Sequence, residues 1–164
     1  MTRHLFRNIV LMLILVLFQV LVLQGMTFMY AVPLIYIYVL LIWPSETPVW
    51  QVLLLGFVLG LSVDILSDTL GINAFATTTV AYMRHPLLRR FAKIDNLDKV
   101  DPGVYTLGFP AFWKYASVML LTHHFLVCLL EYFSVFNPLL MLGKFAFSTV
   151  LTIILIALLE RFRQ

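Results

Sequence analysis

Residues 49–68 read VWQVLLLGFVLGLSVDILSD, and this stretch decides what kind of protein the chain forms. It is apolar for almost its whole length and is long enough for a helix that crosses a lipid bilayer. Gly56, Gly60, Asp64 and Asp68 follow one another at intervals of four, so they lie along one face of that helix. Two glycines at this spacing let the backbone of a second helix come close. We therefore expect a membrane-spanning helix with a specialised packing face.

The rest of the chain has the same character. Of its 164 residues, 62% are hydrophobic and 12% are charged. An ordinary soluble domain is about half apolar and about a quarter charged. The shortage of charge excludes a soluble globule, and the abundance of apolar residues excludes a disordered chain. Since each span uses about 20 residues, no room is left for a separate soluble domain. We expect one membrane-embedded unit over residues 1–164.

The hydropathy pattern predicts an all-α integral membrane protein with six transmembrane helices in a compact bundle. The first predicted span resembles a signal peptide, but no small-x-small cleavage site follows it, so we interpret it as uncleaved. The second contains Pro33, which membrane helices tolerate when neighbours satisfy the freed carbonyl. The fourth is short and polar, as expected of a helix shielded by protein. The predicted spans are 9–23, 26–43, 49–66, 70–83, 112–133 and 139–159, with a polar loop over 84–111.

The basic residues predict the orientation. Six spans place the N-terminus, the 84–111 loop and the C-terminus on one face of the membrane, together with ten of the eleven Lys and Arg residues. Because basic residues near the ends of spans stay in the cytoplasm, both termini are expected there. A five-span chain would divide the basic residues between the two faces. The ten residues are Arg3, Arg7, Arg84, Arg89, Arg90, Lys93, Lys99, Lys114, Arg161 and Arg163.

A membrane-surface basic patch is expected at Arg84, Arg89, Arg90 and Lys93. Leu87, Leu88 and Phe91 alternate with the last three of these at helical spacing, which favours an interfacial helix on anionic lipid headgroups over a solvated loop. No stripe of basic and aromatic residues indicates nucleic-acid binding.

Few polar residues lie inside the predicted spans. His123 and His124 point about 100° apart on a helix, so they are expected to bond a neighbouring helix as neutral groups rather than to share a metal ion. Glu131 and Lys144 flank the turn between the last two spans, and we expect an intramembrane ion pair. Asp64 either accepts hydrogen bonds from a neighbouring helix or is a hydrated acid at the interface.

No motif in the sequence indicates catalysis, a metal site or a cofactor. A nucleophile elbow and a glycine-rich phosphate loop are both missing. The single cysteine, Cys128, cannot form an internal disulfide. We therefore expect a protein that is not an enzyme.

One region of about 40 residues resembles the family of the rod shape-determining protein MreD. Its most specific part is Gly-Phe-x-x-Gly-Leu-x-x-Asp, followed seven residues later by Gly71. The resemblance is carried by Trp43-Pro44, residues 56–64, Gly71, Ala74 and Ala81-Tyr82. It places the helix-packing and partner-docking face at Gly56, Gly60, Asp64 and Gly71. Asp68 and the long 84–111 segment depart from the family pattern.

The resemblance implies a scaffold in the bacterial inner membrane that positions lateral peptidoglycan synthesis and so controls cell shape. The partners it implies are MreC directly, with MreB, RodA and a class B penicillin-binding protein in the same complex. The family is similar to the six-helix substrate-binding subunits of energy-coupling-factor vitamin transporters, which leaves a small-molecule transporter subunit as the alternative. The short outer loops offer little material for a lid over a ligand, which favours the scaffold.

Overall fold

The protein is described by a computed structural model that covers residues 2–23, 32–92, 100–131 and 138–163. Every regular element in these ranges is a helix. The α-helices are α1 (Thr2–Phe18), α2 (Tyr38–Ile42), α3 (Val49–Ser67), α4 (Ile72–Ala92), α5 (Val104–Leu107), α6 (Phe109–Glu131) and α7 (Pro138–Phe162). A π-helical turn, Gln19–Leu23, extends α1, and a 3-10 turn, Ile35–Ile37, precedes α2.

Three of the described helices are long and apolar enough to cross a membrane. They are Val49–Ser67, Phe109–Glu131 and Leu139–Phe162. The structure therefore supports an all-helical protein that is compatible with a membrane. The described part of the first predicted span is also helical, because α1 and its π-helical turn run without interruption to Leu23. That apolar helix, Asn8–Leu23, is shorter than the other three.

The second predicted span, 26–43, is not one continuous helix. Residues 24–31 lie outside the described residues, and residues 32–34 have no regular structure. The helix proper begins only at Tyr38 and ends at Ile42. The physical reason lies at Pro33, which has no N–H to donate and disfavours helical geometry in the residue before it. The expectation that this proline sits inside an intact helix is wrong for the described part.

The fourth helix is longer than the sequence predicts. α4 continues through Pro86 to Ala92, so the predicted loop over 84–111 begins as helix and ends in α5 and the start of α6. Proline in a helix removes one hydrogen bond to the residue four positions earlier. That residue is the largely exposed Tyr82, at the periphery of the bundle. Residues 93–99 of the predicted loop lie outside the described residues.

The core is built around α4 and the broken segment 32–43. α4 packs against α3 on one side and α6 on the other, and α6 packs against α7. Residues 34–43 are almost completely buried, although they form only a turn and a short helix. By contrast, α1 and α7 expose apolar side chains along much of their length. This distribution suits a bundle whose outer helices face lipid and whose centre is shielded by protein.

The chain is tied together at the end of the bundle where α4 and α7 finish. Ser45 N–H donates to the carbonyl oxygen of Val100 at 3.0 Å. The carboxylate of Glu160 accepts from the Tyr38 hydroxyl at 2.7 Å and from the Val104 N–H at 3.1 Å, and it pairs with Arg163 at 3.1 Å. These bonds hold the segment before α6 against the turn that follows α2 and against the end of α7.

Candidate functional site

The predicted packing face on α3 lies against α4. A Cβ atom added to Gly56 would lie 2.8 Å from Ala81 Cβ and 3.0 Å from the Thr77 carbonyl oxygen. A Cβ added to Gly60 would lie 2.5 Å from Ala74 Cα and closer still to atoms of Thr77 and Asn73. Neither position has space for a side chain, because the backbone and small side chains of α4 occupy it. The two glycines therefore set the distance between α3 and α4.

Asp64 caps the N-terminus of α4. Its Oδ2 atom accepts the Ala74 N–H at 2.7 Å, and its Oδ1 atom accepts the Asn73 N–H at 3.1 Å and the Asn73 Nδ2–H at 3.0 Å. The Thr69 hydroxyl also donates to Oδ1. The first N–H groups of a helix have no partner within the helix, and its positive dipole end favours a negative charge. Asp64 is 2% exposed, so of the two readings of this residue the structure supports the hydrogen-bonded one.

The turn between α3 and α4 needs two unusual backbone conformations. Asp68, which ends α3, has a φ of 54°, and Gly71 has a φ of 80°. Glycine adopts a positive φ at no steric cost, which explains its presence at position 71. No atom of the described residues lies within 4 Å of a Cβ placed there. Gly71 therefore serves the turn and is not part of the close packing at Gly56 and Gly60.

A buried chain of hydrogen bonds leads from Asp64 into the bundle. Because Asn73 Nδ2 donates to Asp64, its Oδ1 atom is the acceptor for the Tyr36 hydroxyl, at 2.8 Å. Tyr36 has only one hydroxyl proton, so the contact of 3.0 Å to His123 Nε2 requires that nitrogen to carry the hydrogen. His123 Nδ1 is then a bare acceptor, and it has no partner among the described residues. The chain fixes the tautomer of His123.

His124 is oriented by a different set of partners. Its Nδ1 atom lies 2.9 Å from the carbonyl oxygen of Leu120, which can only accept, so Nδ1 carries the hydrogen. The bare Nε2 lies 2.9 Å from the Thr152 hydroxyl on α7, whose single hydrogen is shared between this nitrogen and the Ser148 carbonyl oxygen, 2.8 Å away. The two histidines therefore bond different neighbours, as their expected divergence on the helix implies. Within the described ranges, no group of three or more His, Cys, Asp or Glu residues could hold a metal ion.

Side chains from the surrounding helices hold residues 32–34, the non-helical segment at Pro33, and the start of the 3-10 turn that follows it. The Ser148 hydroxyl accepts from the Val32 N–H at 3.1 Å, and the Thr152 hydroxyl accepts from the Leu34 N–H at 2.9 Å. The Gln19 side-chain oxygen accepts from the Ile35 N–H at 2.9 Å. Non-helical backbone at membrane depth is tolerated only when protein satisfies its polar groups. These three partners are not predicted by the sequence pattern, although Gln19 stands out as an amide in an apolar run.

Glu131 and Lys144 are brought together, as the sequence predicts. Lys144 Nζ contacts Glu131 Oε2 between the end of α6 and the beginning of α7. Both side chains are partly exposed, at 30% for Glu131 and 19% for Lys144. In a medium of low dielectric constant, each charge would be costly without the other. The pair also borders a cavity.

This cavity, called the polar cavity below, has a volume of about 80 Å³. It lies between the non-helical segment and helices α3, α4, α6 and α7. Its lining residues are Gln19, Val32, Leu34, Val63, Ser67, Thr69, Asn73, His124, Val127, Cys128, Glu131, Lys144 and Ser148. Most of the polar groups described above therefore surround one space near the α3–α4 turn.

The chain has no match among the known proteins it was compared with. Family models, curated proteins and solved structures all give no match.

The predicted basic patch is only partly on the surface. Arg89 and Arg90 are exposed near the end of α4, but Arg84 is completely buried, so its assignment to the patch is wrong. Lys93 lies outside the described residues. The pKa of His85, on the same helix, is lowered chiefly by burial and further by the guanidinium groups of Arg84 and Arg89. Arg89 and Arg90 are the exposed remainder of the patch.

Arg84 instead binds the C-terminal end of α2. Its Nε–H donates to the Leu40 carbonyl oxygen at 2.9 Å, and one of its terminal nitrogens donates to the Trp43 carbonyl oxygen. The last carbonyl groups of a helix lack partners within the helix, and a cation there complements the helix dipole. This role could not be predicted from residue types, because the acceptors are backbone atoms about 40 positions away.

Proposed function

We propose that this protein is a non-enzymatic membrane scaffold of the bacterial complex that directs lateral peptidoglycan synthesis. The observation that carries the proposal is the α3–α4 hairpin. The residues that resemble the MreD family, Gly56, Gly60 and Asp64, are all used to lock α3 onto α4. A motif that is used entirely for internal packing fits a protein whose role is to position its partners.

The outer side of the hairpin supplies a surface for such a partner. Its exposed apolar side chains are Trp50, Leu54, Phe57, Val58, Ile65 and Leu66 on α3 and Phe75 and Tyr82 on α4. Helices in membranes associate through close packing on rigid surfaces. We propose that the transmembrane helix of MreC docks on this surface, and that MreB, RodA and a class B penicillin-binding protein join through the same complex.

The proposed arrangement in the membrane has six spans with both termini in the cytoplasm of a bacterial inner membrane. In this arrangement the Asp64 cap and the polar cavity lie towards the outside, and the contacts of Glu160 lie towards the cytoplasm. Arg89 and Arg90 then face the inner leaflet, where anionic lipid headgroups attract basic side chains. No nucleic acid is part of the proposal.

The alternative is a substrate-binding subunit of a vitamin transporter, and the size of the polar cavity argues against it. Cavities that hold drug-sized ligands measure about 300–1,000 Å³. The polar cavity measures about 80 Å³. A larger cavity of about 330 Å³ lies beside Glu160 and Arg163, at the opposite end of the bundle from the outer face. The scaffold therefore remains the function that the geometry supports best.

Recovery of MreC from native membranes tests the proposal. Phe57→Ala removes an exposed side chain from the hairpin surface, and Leu142→Ala removes a similarly exposed one from α7. We expect both variants to reach the membrane at normal levels, and we expect only Phe57→Ala to lower the recovery of MreC with the purified protein. Equal recovery from both variants, or a loss confined to Leu142→Ala, would contradict docking on the hairpin.

A further inference from the structure

The polar cavity has a size and lining that suit a small ligand. One buried water molecule needs about 10–15 Å³ of cavity volume, so the cavity has room for about five to eight water molecules. A free amino acid of the size of alanine has about as many non-hydrogen atoms as the number of water molecules that the cavity could hold. The space is too small for a lipid chain or a nucleotide.

The charges on the cavity wall restrict the ligand further. Among the described residues that line the cavity, only Glu131 and Lys144 are charged, and they form an ion pair with each other. A ligand with one charge would pair with one of them and leave the other unpaired in a poorly solvated site. A zwitterion pairs with both at once, with its ammonium group on Glu131 and its carboxylate on Lys144.

Neutral groups on the wall add donors for the carboxylate. The side-chain oxygen of Gln19 is used by the Ile35 N–H, but its amide nitrogen donates to no other described residue. The Ser148 oxygen accepts from the Val32 N–H, which leaves its own hydroxyl hydrogen available to a ligand. These groups are held in place because they also hold the non-helical segment, so a ligand would meet a preorganised wall.

We propose that the polar cavity binds a small zwitterion, a free α-amino acid of about the size of alanine, which inserts between Glu131 and Lys144. This site goes beyond the proposed scaffold function, which requires no ligand. Occupancy would add contacts between α6, α7 and the segment at Pro33. The ligand would therefore stabilise the folded bundle by RT ln(1 + L/Kd), which rises with the ligand concentration L.

Cys128 reports on the site because it lines the cavity and is the only cysteine in the chain. The purified protein in lipid nanodiscs is treated with methyl methanethiosulfonate, and the rate of modification is measured by intact mass. L-alanine at about ten times its Kd leaves about one site in eleven empty, so modification is expected to slow about tenfold. The unfolding temperature of the same samples is measured in parallel and is expected to rise with L-alanine.

Acetate and ethylamine, tested singly, provide the ligand controls because each carries only one of the two charges. Neither is expected to protect Cys128 or to raise the unfolding temperature. The proposal is overturned if L-alanine changes neither reading, or if either half-ligand matches its effect. These comparisons use the unaltered protein, so they do not depend on the folding of any variant.

Variants of the two ion pairs separate a specific site from a general effect. Glu131→Gln removes the partner of the ammonium group and is expected to abolish protection by L-alanine. Arg163→Gln breaks the ion pair with Glu160 outside the cavity and is expected to keep it. Protection that survives in Glu131→Gln would overturn the proposed binding mode. This test does not measure the recovery of MreC, so the result of the test does not depend on the scaffold function.

Discussion

The two carboxylate oxygens of Asp64 receive four hydrogen bonds, two of them from the backbone of α4. An asparagine at this position keeps one oxygen and presents an NH₂ group where the other was. At least one N–H of α4 then faces a second donor. Both oxygens of Asp64 are in use, so the amide of asparagine cannot replace them fully.

We expect Asp64→Asn to lower the free energy of unfolding by about 1–3 kcal/mol, the cost of one unsatisfied buried donor. Asp64→Leu is expected to cost more, because it orphans every donor at the cap. Both values are measured by reversible denaturation in mixed detergent micelles. Ser62→Ala is a suitable control, since Ser62 bonds only its own helix, through the Val58 carbonyl oxygen. Equal stability of Asp64→Leu and the unaltered protein would contradict the capping role.

Residue identity predicted some roles and not others, and the difference has a physical basis. Asp64, Glu131 and Lys144 could be singled out because a charge in an apolar run must find a partner. The two histidines followed from helical geometry. Arg84 could not be assigned, because its acceptors are carbonyl groups, and every residue in the chain has one. The role of Asn73 was equally invisible, since it depends on two partners from different elements.

The packing of α3 on α4 depends on the absence of side chains at two positions. We expect Gly60→Ala to reduce the amount of folded protein in the membrane, because the new Cβ would collide with the backbone of α4. Gly143→Ala is the matched control, since nothing lies within 4 Å of a Cβ at that position in α7. Alanine there is expected to be neutral or to stabilise by up to about 1 kcal/mol. Membrane levels and detergent stability distinguish the two variants.

The non-helical segment at Pro33 depends on α7 for its hydrogen bonds. Thr152→Val preserves the shape of the side chain but leaves the Leu34 N–H without its acceptor and removes the hydroxyl next to His124 Nε2. We expect a loss of about 1–3 kcal/mol in the free energy of unfolding. Thr149→Val is the control, because the hydroxyl of Thr149 bonds only the Phe145 carbonyl oxygen of its own helix. Similar losses in both variants would show that α7 does not hold the segment.

At the level of elements, the sequence located the long apolar helices well. The predicted spans 49–66, 112–133 and 139–159 lie close to α3, α6 and α7, because length and hydropathy define such helices. The break at Pro33 and the extension of α4 through Pro86 were missed. A proline permits both outcomes in a membrane helix, and the neighbours that decide between them are distant in sequence.

The orientation of the whole molecule is testable with two exposed positions at opposite ends of the bundle. Leu70, in the α3–α4 turn, is fully exposed, and Tyr105 is largely exposed on α5. With Cys128 replaced by alanine, we expect an impermeant thiol reagent to label Leu70→Cys in intact cells. Tyr105→Cys is expected to react only after the membrane is opened. The reverse pattern would contradict cytoplasmic termini, and labelling of both in intact cells would contradict the six-span arrangement.

The bonds from α7 to the segment at Pro33 constrain how the molecule is made. The acceptors of the Val32 and Leu34 N–H groups are hydroxyl groups that lie 116 and 118 positions further along the chain. Ribosomes add about 5–20 residues each second, so this part of the nascent protein spends several seconds in the translocation machinery before its acceptors exist. During that interval the exposed N–H groups must be satisfied by water or by the insertion apparatus. A chain truncated before Ser148 is therefore expected to leave both N–H groups without their acceptors.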